Sequence, residues 1–399
     1  MKTNKVSILG ADGSFSSNAW KTYAEINEEL STLTPAYCGT IKNCFEAVDI
    51  GAVDTAIAPL LNSTRDAAWV AETLNGLKEY DARICGEVEL PIEHCLVVLP
   101  EYDADDGSKI TEVLSKDKAL QQCLGNLKKY CSQAEQIPVD STSDASKYLL
   151  ESGDTSCAAI IPKSAAEKYR SDGALKIISY DLQDEQDNRT RFVVLGKESS
   201  KPTGDDKTTV IFRFENMGKS GLLYNLLEEF ADREISLAYM QTIPNLTAKP
   251  NPETRAEYNG TQLEFEFSGA KESGLLYDAL GVIAEKDISM SYIQSIPNGD
   301  LNNVSFICDL DADTESEQIE NLVNELNGFD SIKRCEAKSL PEKPPQDLTF
   351  YMDIFGHRDD KKLLEALEML EISDDFALWK VCGSYPVYQK NELDLLTTN

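Results

Sequence analysis

The side chains that could do chemistry in this chain of 399 residues are hydroxyls, amides and a few cations at the ends of apolar runs. Asp54-Thr-Ala-Ile-Ala-Pro-Leu-Leu-Asn-Ser63 reads as a buried strand that ends in polar Asn62 and Ser63. In open α/β sheets, polar residues at the carboxyl ends of strands line the ligand crevice. Val6-Ser-Ile-Leu-Gly10, followed by ADGSFSSNAW, reads as strand, tight turn and helix, with Ser14, Ser16 and Ser17 marking the helix start. Such a turn presents backbone N–H groups that can hold an anion, and it reads equally well as a plain β-to-α connection. Val139-Asp-Ser-Thr-Ser-Asp144 is a second hydroxyl-rich turn before a helix. Asp187-Asn-Arg-Thr-Arg-Phe-Val-Val-Leu-Gly196 sets polar residues ahead of a short apolar strand. In KITEVLSKDKALQQCLGNLKKYC, Ser115 stands where an N-cap would. His94 sits among apolar neighbours and reads as a satisfied core histidine. Ten cysteines are scattered singly with no C-x-x-C pair, and there are two histidines. That pattern points to core thiols in a reducing cytosol rather than to zinc, so no metal site is expected.

The elements that must position these groups follow from the same pass. An apolar fraction of 41% with 8% aromatic residues argues for a folded chain of two or three domains. A formal charge of -31 and a pI near 4.4 make nucleic acid and anionic membranes poor partners. Any anionic ligand must therefore meet a local cluster of cations. No apolar run approaches the roughly 20 residues that span a bilayer. The N-terminal MKTNKVSILGADG reads as a first strand rather than a secretory signal, which implies a cytoplasmic protein. ELPIEHCLVVLP brings two strand-like runs around Pro91, and Cys157-Ala-Ala-Ile-Ile-Pro162 is a buried strand leading into a helix over Ser164–Arg170. Strands and helices alternate to residue 200, which predicts an α/β domain with mainly parallel pairing.

Lys197-Glu-Ser-Ser-Lys-Pro-Thr-Gly-Asp-Asp206 is a linker by composition, and beyond it the chain repeats itself. SGLLYNLLEEFADREISLAYMQTIPN, from Ser220, aligns without a gap on SGLLYDALGVIAEKDISMSYIQSIPN, from Ser273, with 14 of 26 positions identical. Each copy follows an alternating strand (Val210, Phe212, Phe214; then Leu263, Phe265, Phe267), carries an amphipathic helix and ends in a strand. Two weaker βαβ units follow, near 304–336 and 348–382. Four βαβ halves make two domains, but the loop after Asn245 is too short to hold the first domain's second half. The second and third halves therefore pair with each other, and the first waits for the fourth. One small domain is predicted to lie inside another: 207–248 with 347–390 outside, and 258–340 inserted.

GADGSFSSNAW, APLLNS, ELPIEHCLVVLP, LSKDKALQQC, DSTSDASKYL, CAAIIPKSAAEKY and DNRTRFVVLG stand in the order, and near the spacings, of the prephenate dehydratase family. This resemblance covers residues 5 to 196. GHRDD at Gly356 and GSYP at Gly383 resemble that family's ACT regulatory domain, and the nested copy is similar to the arrangement in some aspartokinases. The fold implied over 1–200 is a two-lobed α/β domain like the type II periplasmic binding proteins, followed by α+β ferredoxin-like ACT domains. The reaction implied is loss of water and carbon dioxide from prephenate to give phenylpyruvate, which requires neither metal nor cofactor. Carried over from the family, Thr190 supplies a hydroxyl donor, Arg191 holds a substrate carboxylate or orders the site, and Phe192 packs behind them. Asn62, Ser63, Ser115, Gln122 and Thr142 would line the cleft.

Two departures from the family bear on this expectation. Leu61 stands where the family's PIENS has an acidic residue, and loss of a carboxylate that assists proton movement costs roughly 10²–10⁴ in rate. SHPQA becomes Ser115-Lys-Asp-Lys-Ala119, which adds Lys116 and Lys118. In the regulatory part, ESRP becomes Gln241-Thr-Ile-Pro244 and Gln294-Ser-Ile-Pro297, while Gly221-Leu222 and Gly274-Leu275 keep the family's glycine before a helix. Those four residues would bind an amino-acid effector, phenylalanine being the one implied. The alternatives are an amino-acid sensor without turnover, arogenate dehydratase, and a periplasmic-type binding protein, which the missing signal and the regulatory part count against. A homodimer is expected, since closed two-fold assemblies are the commonest.

Overall fold

The computed structural model describes residues 3–63, 68–216, 221–244, 260–267, 275–286, 288, 290–297, 304–310, 316–340 and 348–388. They form two units: one runs to Glu198 and includes Tyr388, and the other spans Ser199–Val387.

The first unit holds two sheets. In one lobe, β1 (Lys5–Leu9), α1 (Phe15–Ile26), β2 (Thr34–Cys38), α2 (Ile41–Asp49), β3 (Thr55–Asn62), β4 (Ala68–Trp69), α3 (Ala71–Glu79) and β5 (Arg83–Pro91) follow in turn. The second lobe contains β6 (His94–Val98), β7 (Glu112–Lys116), α4 (Asp117–Gln122), α5 (Leu124–Tyr130), β8 (Glu135–Val139), α6 (Thr142–Ser152), β9 (Cys157–Pro162), α7 (Lys163–Ser171) and β10 (Lys176–Ser179). The chain then returns to the first lobe as β11 (Arg189–Gly196). Strand orders are β2-β1-β3-β11-β5 and β10-β6-β9-β7-β8. Pairing is mixed rather than mainly parallel. β1 runs parallel to β2 and β3, and β7 to β8 and β9, but β11, β6 and β10 run against their neighbours. The reason is the double crossing between lobes, because each passage delivers a strand from the opposite direction.

Sequence dictates the first lobe's core directly. Val6, Ile8, Ile57, Val88, Phe192 and Val194 alternate onto the face covered by Trp20 and Tyr23 of α1. Ser14 caps α1 by accepting from the Ser17 N–H, as its position before the helix predicts. Ser115 behaves otherwise. It lies inside β7, fully buried, and its hydroxyl donates to the Ile160 carbonyl at 2.7 Å; the residue capping α4 is Lys116. The strand simply runs one residue past the serine.

In the second unit β12 (Asp206–Phe214), α8 (Leu222–Ala231), β13 (Leu237–Pro244), β14 (Gly260–Phe267), α9 (Leu275–Glu285), β15 (Met290–Pro297), β16 (Val304–Leu310), α10 (Glu317–Leu326), β17 (Ile332–Leu340), β18 (Leu348–Phe355), α11 (Lys361–Glu371) and β19 (Phe376–Pro386) build one sheet of eight strands. Its order is β17-β14-β16-β15-β13-β18-β12-β19. The four strands β14 to β17 thus stand together, and β12 and β13 interleave with β18 and β19. One hydrophobic core joins the four helices to a single face of this sheet, with Phe212 stacked on Phe350 at 4.8 Å.

Between the repeats, β13 and β15 run antiparallel with Gln241 facing Gln294. The two copies bond to each other by the same device in each direction. Thr242 Oγ1 accepts the Ile293 N–H at 2.9 Å, and Ser295 Oγ accepts the Met240 N–H at 2.9 Å. Tyr224 and Tyr277, also equivalent positions, stack at 4.6 Å with their hydroxyls 2.6 Å apart. The repeat in sequence is therefore a local two-fold in space.

Candidate active site

Strand register brings together what sequence separates. β11 pairs with β3 so that Thr190 lies directly opposite Asn62. Asn62 Nδ2 donates to Thr190 Oγ1 at 2.8 Å, to Asn188 Oδ1 at 2.8 Å and to the Arg189 carbonyl at 3.1 Å. All three side chains are buried, with Asn62 3%, Asn188 2% and Thr190 7% exposed, so these bonds are made away from bulk water. Because Thr190 Oγ1 accepts from the amide, its own proton remains for another acceptor; none is present among the described residues. Asn188 was not singled out from the sequence, although it adjoins the TRF stretch. Its carbonyl also accepts the Ile92 N–H at 2.8 Å, which joins the two inter-lobe crossings.

Alternation along β11 turns Arg191 to the opposite face from Thr190 and Phe192. Its Nε donates to Glu87 Oε2 at 2.7 Å, and both side chains are largely buried. Here Arg191 is engaged by Glu87 on the face of β11 away from the Thr190 hydroxyl. Leu61 pairs in register with Arg191 and so shares that second face, one residue away from Asn62. An acidic side chain at 61 would stand beside Arg191, not beside the Thr190 hydroxyl, and Glu87 supplies an anion there. Phe192, 2% exposed, packs in the core behind Thr190.

The remaining expected residues divide. Ser63 is exposed and spends its hydroxyl on the crossing strand, accepting the Arg189 N–H at 2.8 Å. Thr142 opens α6, half-buried, after the Ser141 cap. Gln122 ends α4, and its Oε1 lies 3.2 Å from His94 Nε2. Lys116 and Lys118 stand exposed at the start of α4, and neither has an ion-pair partner among the described residues.

His94 is 1% exposed, its ring edge against Phe15 at 5.4 Å, and its Nδ1 has no partner. A neutral imidazole with the proton on Nε2 fits both nitrogens, since Gln122 Oε1 can only accept. Burial lowers the His94 pKa from 6.5 to about 4, against the Gln122 contact, which raises it. Between those values the unfolded chain binds a proton that the folded chain does not. Stability present above pH 6.5 is therefore lost as pH falls toward 4, by about 3 kcal/mol from this group in all. Urea unfolding from pH 7 down to pH 4.5 should give a shallower loss in His94→Gln than in the parent; parallel curves would contradict the assignment.

In the second unit, Gly221 precedes α8 with φ +77°, a left-handed conformation that suits glycine. It and Leu222 edge a pocket walled by Tyr224 of the first repeat and by Ile283, Met290 and Tyr292 of the second. Leu275 begins α9, half-buried, whereas Gly274 lies outside the described residues.

A family model for prephenate dehydratase matches residues 6–200. The bifunctional chorismate mutase/prephenate dehydratase of Pseudomonas aeruginosa is 33% identical over 294 residues, 73% of this chain and 73% of that protein. The chain belongs to the prephenate dehydratase family. Arogenate dehydratase 1 of Petunia hybrida is 32% identical over 210 residues, which are 52% of this chain and 47% of that protein. In fold, the chain is similar to the prephenate dehydratase of Arthrobacter aurescens solved in complex with L-Phe. The TM-score is 0.60 at 18% identity, covering 99% of this chain and 96% of that one. The two-lobed fold of mixed sheets agrees with this likeness. No helix among the described residues is long and apolar enough to cross a membrane.

Proposed function

We propose that this chain converts prephenate to phenylpyruvate, with Thr190 as the donor to the departing hydroxyl. The observation that carries the reading is the bond from Asn62 Nδ2 to Thr190 Oγ1 at 2.8 Å. An N–H directed at that oxygen turns the Thr190 proton outward and stabilises negative charge gathering on the oxygen as the proton is shared. Loss of carbon dioxide from C1 releases the electron pair that makes the ring aromatic. The C4 hydroxyl departs as water, taking one proton that solvent restores through the site. The substrate's two carboxylates need cations. Arg189 and Arg191 are engaged by Glu89 and Glu87, so Lys116 and Lys118 are the cations assigned to that task. Gln122 and Thr142 complete the wall, Ser115 ties β7 to β9 beneath it through the Ile160 carbonyl, and Asn62 with Ser63 tie β3 to the crossing strand.

A sensor without turnover rested on Leu61, and its face of β3 supports activity instead. Arogenate differs from prephenate by one amino group, and the same assay separates the two substrates. The interleaved strands of the second unit support two ACT domains, 258–340 inserted between 207–248 and 347–390. Phenylalanine is the effector assigned to Gly221 and Leu222, with Gly274 and Leu275 as the equivalent site of the other repeat. Ile243 and Ile296 replace the arginine of the family's motif, which lowers the charge available to the effector carboxylate. Ten free thiols support a cytoplasmic location, and a homodimer follows from the frequency of closed two-fold assemblies.

Purified protein should form phenylpyruvate from prephenate, and calorimetry with phenylalanine should give saturable heat. Product from neither prephenate nor arogenate would overturn the reaction; heat-silent titration with every aromatic amino acid would remove the effector.

A further inference from the structure

Two thiols outside the proposed active site lie against each other. Cys38 ends β2, Cys44 closes the first turn of α2, and the Gly39–Thr40 turn between them leaves their Sγ atoms 3.1 Å apart. Thr40 holds that geometry by capping α2, accepting the Asn43 N–H at 3.1 Å. The two thiols differ in access. Cys38 is half-buried, whereas Cys44 is 0% exposed behind it, within reach of the Ser7 hydroxyl at 3.8 Å. Space above the turn is open, since a Cβ built on Gly39 would meet nothing within 4 Å. A small reagent can thus reach Cys38 first, and only then can Cys44 act.

Their acidities separate in the same sense. The neighbouring Cys44 thiol, with help from Ser7, holds Cys38 below the usual thiol range, while Cys44 is driven upward. Burial pushes Cys85, Cys95, Cys157 and Cys335 up to about 12, and raises Cys123, Cys131 and Cys308 as well. Attack on a disulfide needs a thiolate with access, and resolution needs a second thiol at bonding reach.

We propose that Cys38 and Cys44 form a redox-active pair which a small-molecule disulfide converts reversibly to an intramolecular disulfide. The Cys38 thiolate attacks one sulfur of the reagent, and the other sulfur leaves as a thiolate and is protonated. Cys44 then loses its proton and attacks Cys38 Sγ, expelling the second small thiol. The two protein thiols are oxidised by two electrons, and one small disulfide is reduced to two thiols. Excess dithiol reverses each step. The pair also adjoins the Gly10–Ser14 turn, because the Cys38 carbonyl accepts the Gly10 N–H at 2.9 Å.

The test uses the full chain, folded, with excess oxidised glutathione, followed by acid quench, alkylation and peptide mapping. The parent should lose two hydrogen atoms in mass and yield a cross-linked peptide joining Cys38 to Cys44. Cys44→Ser and Cys44→Ala should instead accumulate one glutathione on Cys38, and Cys38→Ser should give neither product at the same time point. A parent in which both cysteines remain alkylatable overturns the proposal. So does a cross-link mapping elsewhere, or folded Cys44 variants without adduct at Cys38. Circular dichroism of the two Cys44 variants distinguishes a folded, unreactive chain from a misfolded one.

Discussion

Replacing Thr190 with Val should lower kcat for phenylpyruvate formation by about 10²–10⁴-fold, with KM changed little. Val matches the shape of Thr and removes only the hydroxyl, which is both the acceptor from Asn62 and the proposed donor to the leaving group. The loss should sit in kcat because the hydroxyl matters as charge develops on the departing oxygen, whereas the cations that bind carboxylates stay in place. Val also leaves the buried Asn62 amide one acceptor fewer. That amide keeps Asn188 Oδ1 and the Arg189 carbonyl, so the fold should survive with a cost of about 1 kcal/mol. Asn62→Leu should lose activity by a similar factor, and adding it to Thr190→Val should cost little more. The two groups act as one unit, and such effects do not add. Steady-state kinetics of the three variants checks this. Equal turnover in parent and Thr190→Val would move the donor role elsewhere, and fully additive losses would mean that Asn62 does not work through Thr190.

Much of this architecture can be read in the residues, and the unread parts share physical causes. The repeat is legible because 14 identities in 26 positions exceed what a shared helix pattern requires, and the Phe alternation of its strands is a clean period of two. β2 passes unnoticed. Thr34-Pro-Ala-Tyr-Cys38 is an edge strand with mostly exposed side chains, so no apolar alternation marks it and Pro35 is tolerated there. The pairing of Cys38 with Cys44 is hidden because β2 leaves little pattern, although Ile41, Cys44, Phe45 and Val48 mark the buried face of α2. The meeting of Asn62 and Thr190 spans 128 positions and is set by antiparallel register after two passages between lobes, which no local signal encodes. Asn188 and the His94–Gln122 contact depend on that same long-range closure. Leu61 is different. Neighbours on a strand point to opposite faces, so its separation from the Asn62 side was legible once β3 was recognised. Ser115 misled because its type suits a cap, while the burial that decides its role is tertiary.

The ion pair beneath the site carries the second large effect. Glu87→Gln should destabilise the first unit by about 3–5 kcal/mol, because it removes the carboxylate from a guanidinium that β11 holds out of water. Glu87 is 6% exposed and Arg191 13%, so solvent cannot substitute for the lost charge without opening the strand pair. By contrast Arg189 and Glu89, two residues along the same strands, are more exposed at 25% and 41%, and their pair at 3.3 Å should contribute under about 1 kcal/mol. Glu89→Gln is thus an internal control on the same sheet. A double variant, Glu87→Leu with Arg191→Met, removes both charges together and should recover most of the stability lost by Glu87→Gln. Its activity then separates the two roles of Arg191. If Arg191 only orders the strand that carries Thr190, the double variant should regain turnover along with stability. If its charge is also used on a substrate carboxylate, stability should return while KM stays raised. Urea unfolding and prephenate kinetics on the four proteins decide this. A loss below about 1 kcal/mol in Glu87→Gln would show that the pair is screened by water and does not hold the site.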